Sequence, residues 1–153
     1  MEVHLVDSNI FYYHLLQDRD HGPRSTGIIR RIRDGEEAAI STVIVSELAS
    51  LFEFRILQAR RDRDLTEARR RYVIERFGRA VTALHDLVTG LAHLRKLGCG
   101  WDQANRAFEL RSAHRLDCND ALNAAILEKN DISSIYSFDS SFDRIPWVQR
   151  ADR

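Results

Sequence analysis

Apolar positions along the chain follow two rhythms. Short apolar runs bounded by polar residues occur at 3–6 (Val-His-Leu-Val), 38–42 (Ala-Ala-Ile-Ser-Thr) and 134–137 (Ser-Ile-Tyr-Ser), and they predict buried strands. Between them, apolar residues recur every three to four positions, which predicts helices. One helix starts near Asn9, carries Ile10, Phe11, Tyr13, His14, Leu15 and Leu16, and is broken by His21-Gly22-Pro23. Ser25 or Thr26 is placed to cap a second, with Ile28, Ile29 and Ile32, ending at Gly35. Val43-Ile44 leads into a long helix through Leu48, Leu51, Phe52, Ile56 and Leu57. Thr66 is placed to cap the next, which carries Tyr72, Val73, Phe77, Val81, Leu84, Leu87 and Val88. Residues 91–94 read either as a short strand or as more of that helix, before a break at Gly98-Cys99-Gly100. Residues 101–112 form a helical pattern, and Asn119 or Asp117 caps another through Leu127. Pro146-Trp147-Val148 suits a last short strand. Strands alternating with helices imply right-handed crossovers and an α/β fold with a mostly parallel sheet.

A chain of 153 residues with 44% hydrophobic content and only two prolines is expected to form one domain over 1–153, without disordered tracts. No apolar run approaches the ~20 residues that span a bilayer, so no membrane association is expected. The start, with acidic Glu2 running straight into a strand, does not read as a signal peptide. Cys99 and Cys118 lack C-x-x-C spacing and are expected to be free thiols in a reducing cytoplasm. His4 and His85 read as packed or surface groups, and Trp101 and Trp147 as core or edge anchors rather than base-stacking platforms.

Net charge is zero, but its distribution is uneven. Residues 55–79 hold nine arginines against four acids, whereas 1–54 and 117–153 are both net acidic. Lys96 and Lys129 are the only lysines. Within an Arg-rich helical segment at about 55–97, Arg69, Arg70 and Arg71 are candidate phosphate contacts, because guanidinium groups bind phosphate through paired hydrogen bonds. The alternative is a solvated helix laced by pairs such as Arg63/Glu67 and Glu75/Arg79.

Four stretches carry the candidate chemistry: Leu5-Val6-Asp7-Ser8-Asn9, Val45-Ser46-Glu47, Asn119-Asp120-Ala121 and Ser137-Phe138-Asp139. Asp7 and Asp139 follow strand-like runs, and Glu47 and Asp120 fall near helix starts. In open α/β sheets, ligand chemistry gathers at the carboxyl ends of parallel strands. Carboxylates converging there repel unless protonated or bridged by a cation. All-oxygen donors favour Mg²⁺ or Mn²⁺. Each acid also has a plain structural reading: Asp7 and Asp120 as helix caps, Glu47 as a first-turn acid, Asp139 and Asp143 as turn formers.

Taken in order, these residues resemble the PIN-domain nucleases, which include the VapC-type toxins. The resemblance rests on Val6-Asp7-Ser8-Asn9-Ile10-Phe11, Thr42-Val43-Ile44-Val45-Ser46-Glu47-Leu48, the run from Leu116 to Ala125 with Asn119-Asp120-Ala121, and the run from Tyr136 to Asp143. It implies a three-layer sandwich around a mostly parallel sheet. It implies catalytic Asp7, Glu47, Asp120 and Asp139, with Asp7, Asp120, Asp139 and the auxiliary Asp143 toward metal, and Asn9 and Ser137 in support. It implies Mg²⁺-dependent RNA hydrolysis leaving a 5′-phosphate and a 3′-hydroxyl, an antitoxin partner and a homodimer. The middle of the chain, 55–100, departs from a typical small toxin in its length and arginine content. Two other readings stand beside this one. A phosphatase or receiver domain also gathers aspartates after parallel strands, but the phosphatase needs a second Asp where this chain has Asn9, and both need a lysine near phosphate. A non-catalytic RNA-binding module would keep the fold without the reaction.

Overall fold

Strand β1 (His4–Val6) is only three residues long, yet it is the centre of the sheet, because Leu5 and Val6 are fully buried and it is paired on both sides. The computed structural model describes residues 2–151. β1 runs parallel to β2 (Ala38–Ser41) on one side and to β4 (Ser134–Tyr136) on the other. β3 (Leu94–Leu97) adds outside β2 and β5 (Gln149–Ala151) outside β4, giving a five-stranded all-parallel sheet of order 3-2-1-4-5. Both β2 and β4 are buried throughout.

Six α-helices flank the sheet among the described residues: α1 (Ser8–Leu15), α2 (Gly22–Arg33), α3 (Thr42–Arg61), α4 (Glu67–Gly90), α5 (Trp101–His114) and α6 (Cys118–Lys129). The path β1–β2–β3 crosses the sheet one way and β3–β4 returns. Right-handed crossovers therefore put α1–α4 on one face and α5–α6 on the other. The packing agrees, since α1 touches α2, α3 and α4 while α5 packs on α6. α3 buries Ile44, Leu48 and Phe52 along one stripe, and the Phe52 ring lies 6.0 Å from both Tyr12 and Phe77.

The element boundaries differ from the sequence pattern at α2, β3 and β5. α2 starts at Gly22, not after Ser25, with Pro23 in its first turn. Proline is tolerated there because its missing N–H would have no helical partner anyway. β3 begins at Leu94, after α4 has ended at Gly90, and β5 lies at 149–151 beyond the Pro146-Trp147 turn. Asp117 rather than Asn119 caps α6, its side chain accepting from the Asp120 amide at 2.8 Å. Trp101, expected as an anchor, is 84% exposed at the start of α5, whereas Trp147 packs against the core. Both cysteines are free, and no helix is long and apolar enough to cross a membrane among the described residues.

Candidate active site

The strand order reverses direction between β1 and β4, and open α/β sheets place their ligands at the carboxyl ends of the strands at such a switch point. The Asp7 amide donates to the Tyr136 carbonyl at 3.0 Å, which ties the two strand ends together. Asp7 caps α1 and is 5% exposed. One of its oxygens, Oδ1, accepts from the Ser8 amide at 2.7 Å. The other, Oδ2, accepts from Asn9 Nδ2 at 2.7 Å and Ser137 Oγ at 2.6 Å. Asn9 also donates to Ser137 Oγ at 3.1 Å, and Ser137 Oγ accepts from the Asp139 amide at 3.0 Å. These bonds lock the loops after β1 and β4 into one unit.

Helices α3 and α6 bring the remaining acids from the other side. Ser41, at the end of β2, caps α3 and donates to Asn123 Oδ1 of α6 at 2.6 Å, so a buried bond holds the two helix starts together. Glu47 lies in the second turn of α3. Burial and the charge of Asp7 raise its pKa, and hydrogen bonds from Ser8 and Asn119 pull the other way. Asp120 lies in the first turn of α6. Arg115, in the left-handed region at φ 53°, ends α5 and turns the chain into this cap. Ser141 Oγ donates to Asp120 Oδ2 at 2.7 Å, and the Ser141 amide donates to Asp139 Oδ1 at 2.8 Å.

Electrostatics make these acids one cluster. Burial pushes the Asp120 carboxyl up to about 7. The Ser141 bond opposes that rise, while Asp117, Asp7 and Asp139 add to it. Burial likewise raises Asp7, against hydrogen bonds from Ser137 and Ser8, and Asp139 adds repulsion. The charges of Asp7, Asp120 and Asp139 thus act on one another, Glu47 joins them through Asp7, and Asn9 and Ser137 are bonded to Asp7. Asp143 lies in the 3-10 turn Ser140–Arg144, where Arg150 of β5 grips it through two bonds of 2.8 Å. Of the arginine triplet, Arg70 donates to the carbonyls of Ala59 (3.2 Å), Asp62 (2.9 Å) and Leu65 (3.4 Å). Arg69 lies over the Tyr72 ring, and Arg71 is exposed.

Three participants have no distinctive sequence signal. Asp117 reads as a cap, yet its charge raises both Glu47 and Asp120. Ser141 reads as a turn residue, and Arg150 lies in an edge strand outside all four motifs. Among the described residues no three His, Cys, Asp or Glu side chains already converge as a metal cage. The donor chemistry nevertheless fits a hard cation. The acids repel one another, and Mg²⁺ keeps several of its waters and needs few carboxylates.

The fold and the acidic crevice at its switch point define the class, an α/β protein with a carboxylate site. The chain belongs to the PIN domain family, which it matches over residues 4–148. Three solved structures share the fold at low identity. A Rickettsia felis VapBC2 complex, bound to a DNA fragment from its promoter, aligns at TM-score 0.63 and 16% identity over 97% of both chains. Mycobacterium tuberculosis VapC20, a sarcin–ricin loop cleaving toxin, aligns at TM-score 0.63 and 16% identity over 93% of both. A toxin–antitoxin complex from Klebsiella pneumoniae aligns at TM-score 0.56 and 18% identity over 95% of both. No curated protein matches the sequence.

Proposed function

We propose that the chain is a divalent-metal-dependent endoribonuclease, the toxin of a type II toxin–antitoxin pair. The observation that carries this reading is the acidic crevice, where one carboxyl is pushed up to about 7 by burial and by its acidic neighbours. Such a site is short of positive charge. Asp7, Asp120 and Asp139 are the groups to hold Mg²⁺ (or Mn²⁺), with Asp143 at the rim. The ion would neutralise the approach of an anionic phosphodiester and activate the attacking water.

The protein's own part is positional. Ser8, Asn9 and Ser137 fix the Asp7 carboxylate, and Ser141 fixes one oxygen of Asp120. Glu47, whose pKa is raised by burial and by the charge of Asp7, is suited to accept and return a proton. Arg69 and Arg71 are available for phosphate along α4. A basic side chain of a partner protein, entering the crevice, would compete for the same oxygens and silence the enzyme. A second copy of the chain would complete the active assembly.

The phosphotransfer reading finds no support in the site. Asn9, where a phosphatase needs Asp, is spent on Asp7 and Ser137. Lys96 donates to the Leu91 carbonyl, and Lys129 lies in the last turn of α6, far along the helix from Asp120. The test is a Mg²⁺ titration of the purified protein against single-stranded and structured RNA. Cleavage is expected to rise with Mg²⁺, to stop on chelation, and to be absent in Asp7→Asn. RNA left intact at every Mg²⁺ level, or full activity in Asp7→Asn, overturns the proposal.

A further inference from the structure

The rim of the crevice carries a second cluster that metal holding does not use. Phe138 lies between Ser137, which donates to Asp7, and Asp139. Its amide is anchored on Asn9 Oδ1 at 3.3 Å. Tyr13, one turn beyond Asn9 on α1, approaches the Phe138 ring with centroids 5.7 Å apart. His21, at the end of the α1–α2 loop, comes within 4.9 Å of the same ring. The His21 and Tyr13 rings stack at 4.6 Å and 19°. The Arg24 guanidinium stands 5.3 Å from the Phe138 centroid.

The loop holds these rings in place without burying them. Asp18 Oδ1 accepts the amides of Asp20 (3.0 Å) and His21 (2.8 Å), and it lies 3.4 Å from His21 Nδ1. The His21 side chain still stays 46% exposed. Arg24 is exposed, while Tyr13 and Phe138 are half-buried. Core packing has no need of an imidazole stacked at the surface or of a guanidinium over a ring. Aromatic faces beside a cation, at the edge of a phosphodiester site, are what single-strand binding uses.

We propose that Tyr13, His21, Phe138 and Arg24 form a subsite that stacks one base flanking the scissile bond, with Arg24 on its phosphate. The inference rests on the nuclease reading and adds a base-binding subsite to it. A base inside a duplex has both faces covered, so this rim selects an unpaired or looped-out strand.

Fluorescence anisotropy of labelled single-stranded RNA with Asp120→Asn protein in Mg²⁺ tests it, since that background should bind without cleaving. Adding His21→Ala or Phe138→Leu should weaken binding about ten-fold, the usual loss for one stacked base. An abasic nucleotide at one position of the RNA should reproduce that loss and add nothing to it in the variants. Arg24→Gln should lower the salt slope by about one unit. Variants that bind within about two-fold of their parent overturn the subsite. So does an equal loss toward intact and abasic RNA, which would make the rings a staple for the α1–α2 loop. If wild-type protein cleaves RNA while these variants bind unchanged, the subsite alone fails. If it neither binds nor cleaves RNA, the nuclease reading fails with it.

Discussion

At Asp120, burial and like charge act in the same direction, and the consequence for stability has a definite sign. The carboxyl ionises near 3.8 in the unfolded chain and only near 7 in the folded one. Its contribution is therefore fully present below 3.8 and is lost as pH rises through about 7. Asp120→Asn removes the charge and keeps an acceptor for Ser141. In metal-free buffer it should stabilise the protein above pH 7 by about 1–2 kcal/mol, after discounting for solvent screening, and by nearly nothing close to pH 4. Thermal melts of both proteins across that range check this, and a gain independent of pH would refute the electrostatic cause. Mg²⁺ should raise the melting temperature of the wild type and have little effect on the variant. Asp7, Glu47, Asp120 and Asp139 were legible as candidates because each acid follows a strand or lies in the first two turns of a helix. Asp117 and Ser141 were not, because their parts depend on side-chain directions. Ser141 meets Asp120 across 21 residues, a pairing that no local pattern encodes.

Within the α3–α4 hairpin, Arg70 belongs to the fold before it belongs to any ligand. Its guanidinium joins three carbonyls at the turn and pairs with Glu67 at 3.0 Å. Arg70→Ala should cost about 1–3 kcal/mol in urea denaturation, since it leaves acceptors at the turn without their charged donor. Arg71→Ala, at an exposed position, should stay within about 0.5 kcal/mol. The order reverses for RNA. Replacing Arg69 and Arg71 together should lower the salt slope of binding by about two units if both touch phosphate. An unchanged slope would assign them to a solvated face or to an acidic protein partner. Helices with a clear stripe, such as α3 with Ile44, Leu48 and Phe52, were readable in the sequence. The edge strands were harder. β3 reads Leu-Arg-Lys-Leu and β5 reads Gln-Arg-Ala, and each pairs on one side only. Their places are set by the register with β2 and β4 and not by their own apolar content.

Across the whole molecule, the most exposed large apolar side chains among the described residues lie on one helix, and a second copy is the occupant expected there. Trp101 is 84% exposed and Phe108 is 73% exposed, two helical turns apart on α5. Beside Phe108, Ala104, Ala107, Ala121 and Leu122 line an apolar cavity of about 230 Å³ between α5 and α6. A projecting ring and an apolar hollow on one face are self-complementary. A two-fold axis would let each Phe108 enter the other chain's hollow, as an isologous interface requires. This face lies on the opposite side of the sheet from α4, so pairing would leave the Arg-rich helix free. The protein is expected to sediment as a dimer, and Phe108→Asp to sediment as a folded monomer. Phe108 lies outside the core, so the substitution should leave the melting transition cooperative. Ala121→Phe should also dissociate the dimer by filling the hollow from within, although Ala121 is buried and that variant requires its own melting curve. A wild-type monomer at tens of micromolar would refute the pairing. A dimer that persists in Phe108→Asp would move it to the exposed Leu51 and Phe54 of α3.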